Sequence, residues 1–283
     1  MDKILKKISE DYQIYSPRQR KVAEYLFQNL NQAILMNSRQ IAGEASVSEA
    51  TVVRFIARLG FRSFTEFKQA VGRKIIEDYS TSKRLVESAE MLNGKSSLFG
   101  DILRGDVENL KAMANWISEE MFNKAVEKMC SARTLYILGL RSSYALAFYL
   151  AFDLRFFLRS VRVIDLGVDD LPEQLRDIGR SDVLVVISFK RYTRNAVKIA
   201  EKIKGKRTFV IAITNSKLSP IAQLSDISLI TETKIPSYFE SYTAPMSLLN
   251  ALITAIALRE KDKALPMLDK LEKEFQAFET FIK

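Results

Sequence analysis

Histidine is absent from this 283-residue chain, and cysteine occurs once, at Cys130. Those two absences exclude the usual zinc ligand sets and a disulfide framework, fit a reducing compartment, and remove the commonest general acid–base side chain. The carboxylates that remain lack the loop spacing of a calcium site. Neither GxGxxG nor the full GxxxxGK[ST] phosphate loop occurs, so no nucleotide fingerprint is present. No metal, no cofactor and no catalytic residue is expected. Glycine and proline are scarce, at 10 and 6, which predicts short loops and many helices. No run of about 20 apolar residues is free of charge. The nearest, 144–158, is interrupted by Asp153 and Arg155. The opening MDKILKKISEDYQ lacks the apolar core and cleavage site of a signal peptide. The expectation is a cytoplasmic protein with no membrane partner.

Hydrophobic residues make up 47% of the chain, enough for two packed cores at this length. The formal net charge is +9, and residues 1–80 hold 13 Lys+Arg against 9 Asp+Glu. A basic balance permits nucleic-acid binding, but a solvated surface would look much the same.

Residues 1–77 read as a series of short helices. Ser16-Pro17 is a start signal, Ser16 as N-cap and Pro17 at the first helical position. The run that follows sets Val22, Tyr25, Leu26 and Leu30 on one face. A second helix starts at Asn37-Ser38, and a third runs from Ser48 to near Gly60. Residues 64–79 are again amphipathic. Residues 80–97 are polar and poorly periodic, which predicts a linker with room for some helix; two helical patterns follow, one ending around Trp116 and one covering 119–130.

From residue 134 the period changes. TLYIL (134–138), VRVID (161–165), DVLVVI (182–187), TFVIAI (208–213) and DISLI (226–230) are short, apolar and strand-like, and helical stretches separate most of them. That alternation predicts a parallel sheet covered on both faces, with a ligand beyond the carboxyl ends of the strands at the topological switch point. A helical region over 244–281 closes the chain. The fold class expected is thus α plus α/β: an all-helical domain over 1–79, a linker over 80–97, and a three-layer α/β/α domain with a parallel sheet over 98–283.

The segment from Ser38 to Leu59 has the anatomy of a helix-turn-helix. Ile41, Ala42 and Ala45 point inward, Val47 plugs the turn, and Val52, Phe55, Ile56 and Leu59 face the core. Ser48, Glu49, Thr51 and Arg54 are expected at the exposed start of the second helix, with Arg58 one turn on, where a recognition helix enters the major groove. Arg54 suits guanine and Thr51 offers a hydroxyl or methyl. Arg39, Arg62 and Lys68 flank it as candidate phosphate contacts. A generic helical hairpin with solvated arginines would carry much of the same pattern.

SEATVVRFIARLGFRSFTEFK (48–68) and SPRQRKVAEYLFQN (16–29) closely resemble the N-terminal domain of the RpiR family of regulators, and the resemblance extends over nearly the whole chain. It implies a double-stranded DNA partner for the helical domain and a sugar-isomerase (SIS) domain for the rest. In the SIS part, ILGLRSSYALA (137–147) is similar to a strand–Gly-x-Gly-x-Ser–helix motif. Gly139 and Ser143 match, with Ser142 just before the matching serine as a further candidate, and Arg141 stands where the second glycine belongs. SFKRYT (188–193) is similar to Ser-x-Ser-Gly-x-Thr: Ser188 and Thr193 match, while Lys190 and Arg191 replace the second serine and the glycine. VIAITNSKLSPIAQLSDISLIT (210–231) resembles the family's fourth strand, loop and fifth strand.

The resemblance implies an anion site, with a sugar phosphate as the expected effector. Helix N-termini and small hydroxyl residues suit that chemistry. The basic additions Arg141, Lys190, Arg191 and Arg194 would strengthen the grip on the anion, reshape the pocket, or face solvent or a subunit interface. Glu240, in PSYFESYTAP, would contact sugar hydroxyls or cap the last helix. Sugar-phosphate isomerisation is the alternative function. SIS isomerases commonly use Glu and His, and this chain has no histidine. Cys130 is expected packed, and Trp116 and the Phe/Leu series of 148–158 in core or at a dimer surface. One helix-turn-helix reads a short half-site, so a homodimer or homotetramer on a palindromic operator is expected. Helix 144–158 and the C-terminal helices are its candidate interfaces.

Overall fold

A computed structural model describes residues 7–8, 10–33, 36–78, 81–93, 97–167, 169–217 and 219–282. The chain divides into two compact units, Met1–Asn93 and Gly94–Lys283. No helix among the described residues is long and apolar enough to cross a membrane.

In the first unit, a 3₁₀ turn over Tyr12–Ile14 leads into helices α1 (Pro17–Ala33), α2 (Ser38–Glu44), α3 (Glu49–Arg58), α4 (Phe64–Asp78) and α5 (Thr81–Leu92). Ser16 and Gln19 exchange backbone–side-chain bonds at the start of α1. Asn37 and Gln40 form a full capping box on α2. Val22, Leu26, Ile41, Val52, Phe55 and Phe67 are wholly buried in one core, with Tyr15 edge-on to Phe55 at 5.0 Å. Tyr25 is half-buried against it; the Leu30 side chain, expected on the same face, lies outside the described residues. Most of the segment read as linker is the helix α5.

The second unit carries α6 (Leu98–Trp116), α7 (Glu119–Ser131), β1 (Leu135–Gly139), α8 (Ser143–Leu154), β2 (Val161–Val163), α9 (Leu171–Arg176), β3 (Val183–Ile187), α10 (Arg194–Gly205), β4 (Phe209–Thr214), α11 (Pro220–Leu224), β5 (Ile227–Ile230) and α12 (Thr243–Ala277). The sheet is wholly parallel, in the order β2-β1-β3-β4-β5, with Gly139 beside Ile187 at the end of the β1–β3 ladder. Alternate strand residues feed two cores, as the pleat requires. Leu135, Ile137, Val185 and Ile211 pack under α7, α8 and α12. Tyr136, Leu138, Val186 and Val210 pack under α9 to α11. The order reverses between β1 and β3, so the loops β1–α8 and β3–α10 diverge from one crevice at the carboxyl edge.

At the opposite edge Asp182 ties three segments together. Its carboxylate accepts from Arg133 Nε and Nη2 (2.9 and 2.7 Å), from the Thr134 N–H (3.2 Å) and from the Gly179 N–H (2.8 Å). Burial pushes this carboxyl up, but the Arg133 bonds and the two backbone donors outweigh it and hold it below the usual aspartate value. Cys130 is half-buried against the core, and burial pushes its thiol up to about 11. Trp116 is exposed rather than core.

Candidate functional site

Two sites stand on these two units. In the helical unit, Ser48 caps α3, accepting from the Thr51 N–H at 3.3 Å. Three residues past the cap, Thr51 falls on the inner face. It is 6% exposed, and its hydroxyl lies 2.8 Å from that of Ser48. Thr51 therefore fastens the helix start and does not face a groove, contrary to the sequence expectation. The outward face of α3 is Glu49, Ala50, Val53, Arg54, Ala57 and Arg58. Val53 is 45% exposed on that face; the helical spacing of Val52, Phe55, Ile56 and Leu59 carried that signal.

The remaining candidates differ in how free they are. Arg54 is exposed and folds back to its own helix, donating to the Ala50 carbonyl at 3.2 Å. Arg39 pairs with Glu49 at 3.4 Å, and the Ser38 hydroxyl donates to the same carboxylate at 2.6 Å. The Ser38 bond, with the Arg39 guanidinium, lowers the Glu49 carboxyl below its ordinary value despite partial desolvation. Arg58 lies over the Tyr15 ring at 5.3 Å and donates to Gln19 and the Ile14 carbonyl, so it braces α3 against the start of α1. The Arg62 N–H is bound by Glu66 at 2.6 Å, its side chain is exposed, and Lys68 is half-buried on α4.

In the sheet unit, a cleft of about 810 Å³ opens at the carboxyl edge. Its walls are Leu140, Arg141 and Tyr144 after β1, Asp165 and Leu166 after β2, and Thr193, Arg194 and Asn195 at the start of α10. Thr193 caps α10, accepting from the Ala196 N–H. Asp165 went unnoticed in the sequence because only the fold brings β2 alongside β1. Gln174 clamps it, accepting from its N–H at 3.0 Å and donating to its carbonyl at 2.7 Å, and its Oδ1 accepts from the Gly167 N–H at 3.0 Å. A cation pair, a helix N-terminus and a held carboxylate suit a ligand that is anionic at one end and hydroxylated at the other.

The other expected residues are arranged differently. Gly139 is a packing residue. A Cβ there would overlap the Ser143 carbonyl oxygen and stand 2.8 Å from the Ala147 Cβ, so the missing side chain lets α8 approach β1. Ser142 and Ser143 turn to Tyr242, whose hydroxyl lies 2.8 and 3.5 Å from theirs. The Tyr242 ring packs on Phe189 at 5.4 Å. This tyrosine, 100 residues away in sequence, joins the two anion-type loops and had no motif to announce it. Ser188 is buried at the end of β3, while half-buried Lys190 and exposed Arg191 stay in the turn and do not line the cleft. Glu240 accepts from the Thr233 hydroxyl, and Tyr242 occupies the N-cap position of α12, so Glu240 is not the cap. Arg141 and Arg191, at the two positions where glycine was expected, both hold left-handed backbone, with φ of 57° and 64°.

A helix-turn-helix unit joined to a parallel-sheet unit with a cationic cleft at its switch point defines a transcription regulator with a sensor domain. Residues 2–78 match the model of the helix-turn-helix domain, rpiR family, and residues 128–255 match that of the SIS domain. The chain belongs to the RpiR family of transcriptional regulators. The HTH-type transcriptional regulator HexR of Escherichia coli K12 is 27% identical over 267 residues, covering 92% of this chain and 90% of HexR. The sugar isomerase domain of an RpiR transcription factor from Sphaerobacter thermophilus is 26% identical, with a TM-score of 0.60 over 63% of this chain and 99% of that one. NanR of Vibrio vulnificus, solved in complex with ManNAc-6P, shares the fold at 17% identity, with a TM-score of 0.64 over 97% of this chain and 98% of NanR.

Proposed function

We propose that this regulator reads a duplex operator with the outward face of α3 and changes its affinity for that operator when a phosphorylated sugar enters the carboxyl-edge cleft. The observation that carries the reading is the joining of Arg141, Thr193 and Arg194 on one side of the cleft with Asp165 on the other. The phosphate would take the arginines and the α10 N-terminus, and Asp165 would accept from sugar hydroxyls. Lys190 and Arg191 add positive field from the adjacent turn; Ser142 and Ser143, steadied by Tyr242, and Ser188 shape the loops around it. Arg54 and Val53 are the proposed base readers, with Arg39, Arg62 and Lys68 on phosphates.

The chain acts by binding and not by turnover, a reading supported by the lack of any histidine and by the engagement of Glu240 with Thr233. It works in the cytoplasm as a dimer or tetramer on a palindromic site. An exposed aromatic row on α8, Tyr144, Phe148 and Phe152 with ring centroids 6.5 and 6.1 Å apart, supports an interface there. A thermal-shift screen against sugar phosphates and small carboxylates tests the ligand class, because a native-state ligand raises Tm. Stabilisation by a phosphorylated sugar that is recovered unchanged supports the reading; conversion of that sugar would assign an isomerase instead.

A further inference from the structure

Between the first turn of α1 and the α2–α3 turn lies a notch of about 460 Å³, lined by Arg18, Ala42, Gly43, Ser46, Val47 and Ser48. Its lining is small apart from one guanidinium. A Cβ on Gly43 would meet nothing within 4 Å, so the floor is open. Ser46 sits in left-handed backbone, φ 51°, exposed at the corner of the turn. The neighbouring arginines are spent inside the protein. Arg20 donates to the Tyr15 carbonyl at 3.1 Å and to the Gln13 carbonyl at 2.9 Å, and Arg58 is bound to Gln19 and Ile14. Arg18 is exposed and has no ion pair or hydrogen bond among the described residues.

We propose that this notch seats a phosphodiester of the DNA backbone, with the Arg18 guanidinium as its cation and the Ser46 hydroxyl as a second donor. The proposal rests on the DNA-reading function above and extends it to a residue outside the helix-turn-helix. The notch ends on Ser48, the cap of α3, so a phosphate held there lies beside the start of the proposed reading face. A planar five-donor fork over a floor of small residues fits a tetrahedral oxyanion, and a diester offers two free oxygens to it. The contact would fix the register of the duplex without reading sequence.

The test is the salt dependence of binding to a labelled duplex of mixed sequence, followed by fluorescence anisotropy with the full chain. Each phosphate neutralised contributes about 0.9 to the slope of log K against log salt. Arg18→Ala is expected to flatten the slope by about 0.9 per engaged chain and to weaken binding roughly fivefold near 0.15 M salt. Arg18→Lys keeps the slope, because the charge remains. Gly43→Leu, a helix-compatible change that fills the notch and leaves Arg18 in place, flattens it as Arg18→Ala does. Lys111→Ala on α6 removes one charge elsewhere and leaves it unchanged. A parent that binds duplex, with Arg18→Ala and Gly43→Leu sharing its slope, overturns the notch. A parent that binds no duplex at low salt overturns the DNA-reading function itself.

Discussion

Arg141 and Arg191 give the sharpest prediction because stability and response should move in opposite directions. With φ of 57° and 64°, each carries a Cβ in a conformation that costs an L-residue about 1 kcal/mol or more relative to glycine. Glycine at these sites removes that cost but frees the unfolded chain by about 0.4–1 kcal/mol. The net gain is about 0.5 kcal/mol at Arg141, and smaller at Arg191, whose side chain makes an interaction of its own. In a domain of this size 1 kcal/mol raises Tm by about 2–4 °C. Calorimetry of Arg141→Gly, Arg191→Gly and the pair should show a rise in that proportion. Arg141 also lines the cleft, so its loss removes a charge-assisted bond of about 1.5–3 kcal/mol, and the effector concentration for half response should rise at least tenfold. Arg191→Gly should shift it less. A fall in Tm for Arg141→Gly would show the opposite: the arginine side chain would then be holding its loop, and the left-handed backbone would follow from that contact.

Arg54→Ala should weaken binding to a selected operator by about 1–3 kcal/mol and relax one base preference, read by titrating operator and point variants. Asp182→Asn should destabilise the sheet unit by about 1–3 kcal/mol at neutral pH, since an amide nitrogen cannot accept the bonds that one buried carboxylate oxygen takes from the Gly179 N–H and from Arg133. The Asp182 carboxyl is held low in the folded state, so its contribution is present above the unfolded aspartate value and lost as pH falls through the folded one. The parent–variant gap in urea midpoints should therefore close below about pH 4. Tyr242→Phe should cost about 0.5–1.5 kcal/mol in urea titration through the bond to Ser142 and weaken the effector response by loosening the β1–α8 loop. Phe148→Glu with Phe152→Glu should convert the particle to monomer in light scattering; an unchanged mass would move the interface away from α8.

Elements with a strong local period were legible in the sequence. The caps Ser16, Asn37 and Ser48, the apolar runs of β1 to β5 and the helical spacing of α2 and α3 each depend on near neighbours, and the structure has them where the pattern put them. What the sequence concealed depends on partners far along the chain. Thr51 looked exposed because a hydroxyl near a helix start suits a groove, yet the capping bond to Ser48 draws it inward and leaves Val53 outside. Tyr242 and Asp165 became visible only once α12 and β2 returned to the β1–α8 loop. The glycine-to-arginine replacements were legible, but the retention of left-handed backbone at both was not, because sequence reports the side chain and not the φ that the loop imposes.

The most direct measurement is the affinity of the full chain for an operator selected from random duplexes, taken with and without each member of a phosphorylated-sugar panel, beside Arg141→Gly. One sugar phosphate is expected to shift operator affinity by tenfold or more, to be recovered chemically unchanged, and to lose most of that effect in the variant. An operator affinity indifferent to every sugar phosphate, or turnover of one of them without any effect on DNA binding, would contradict it.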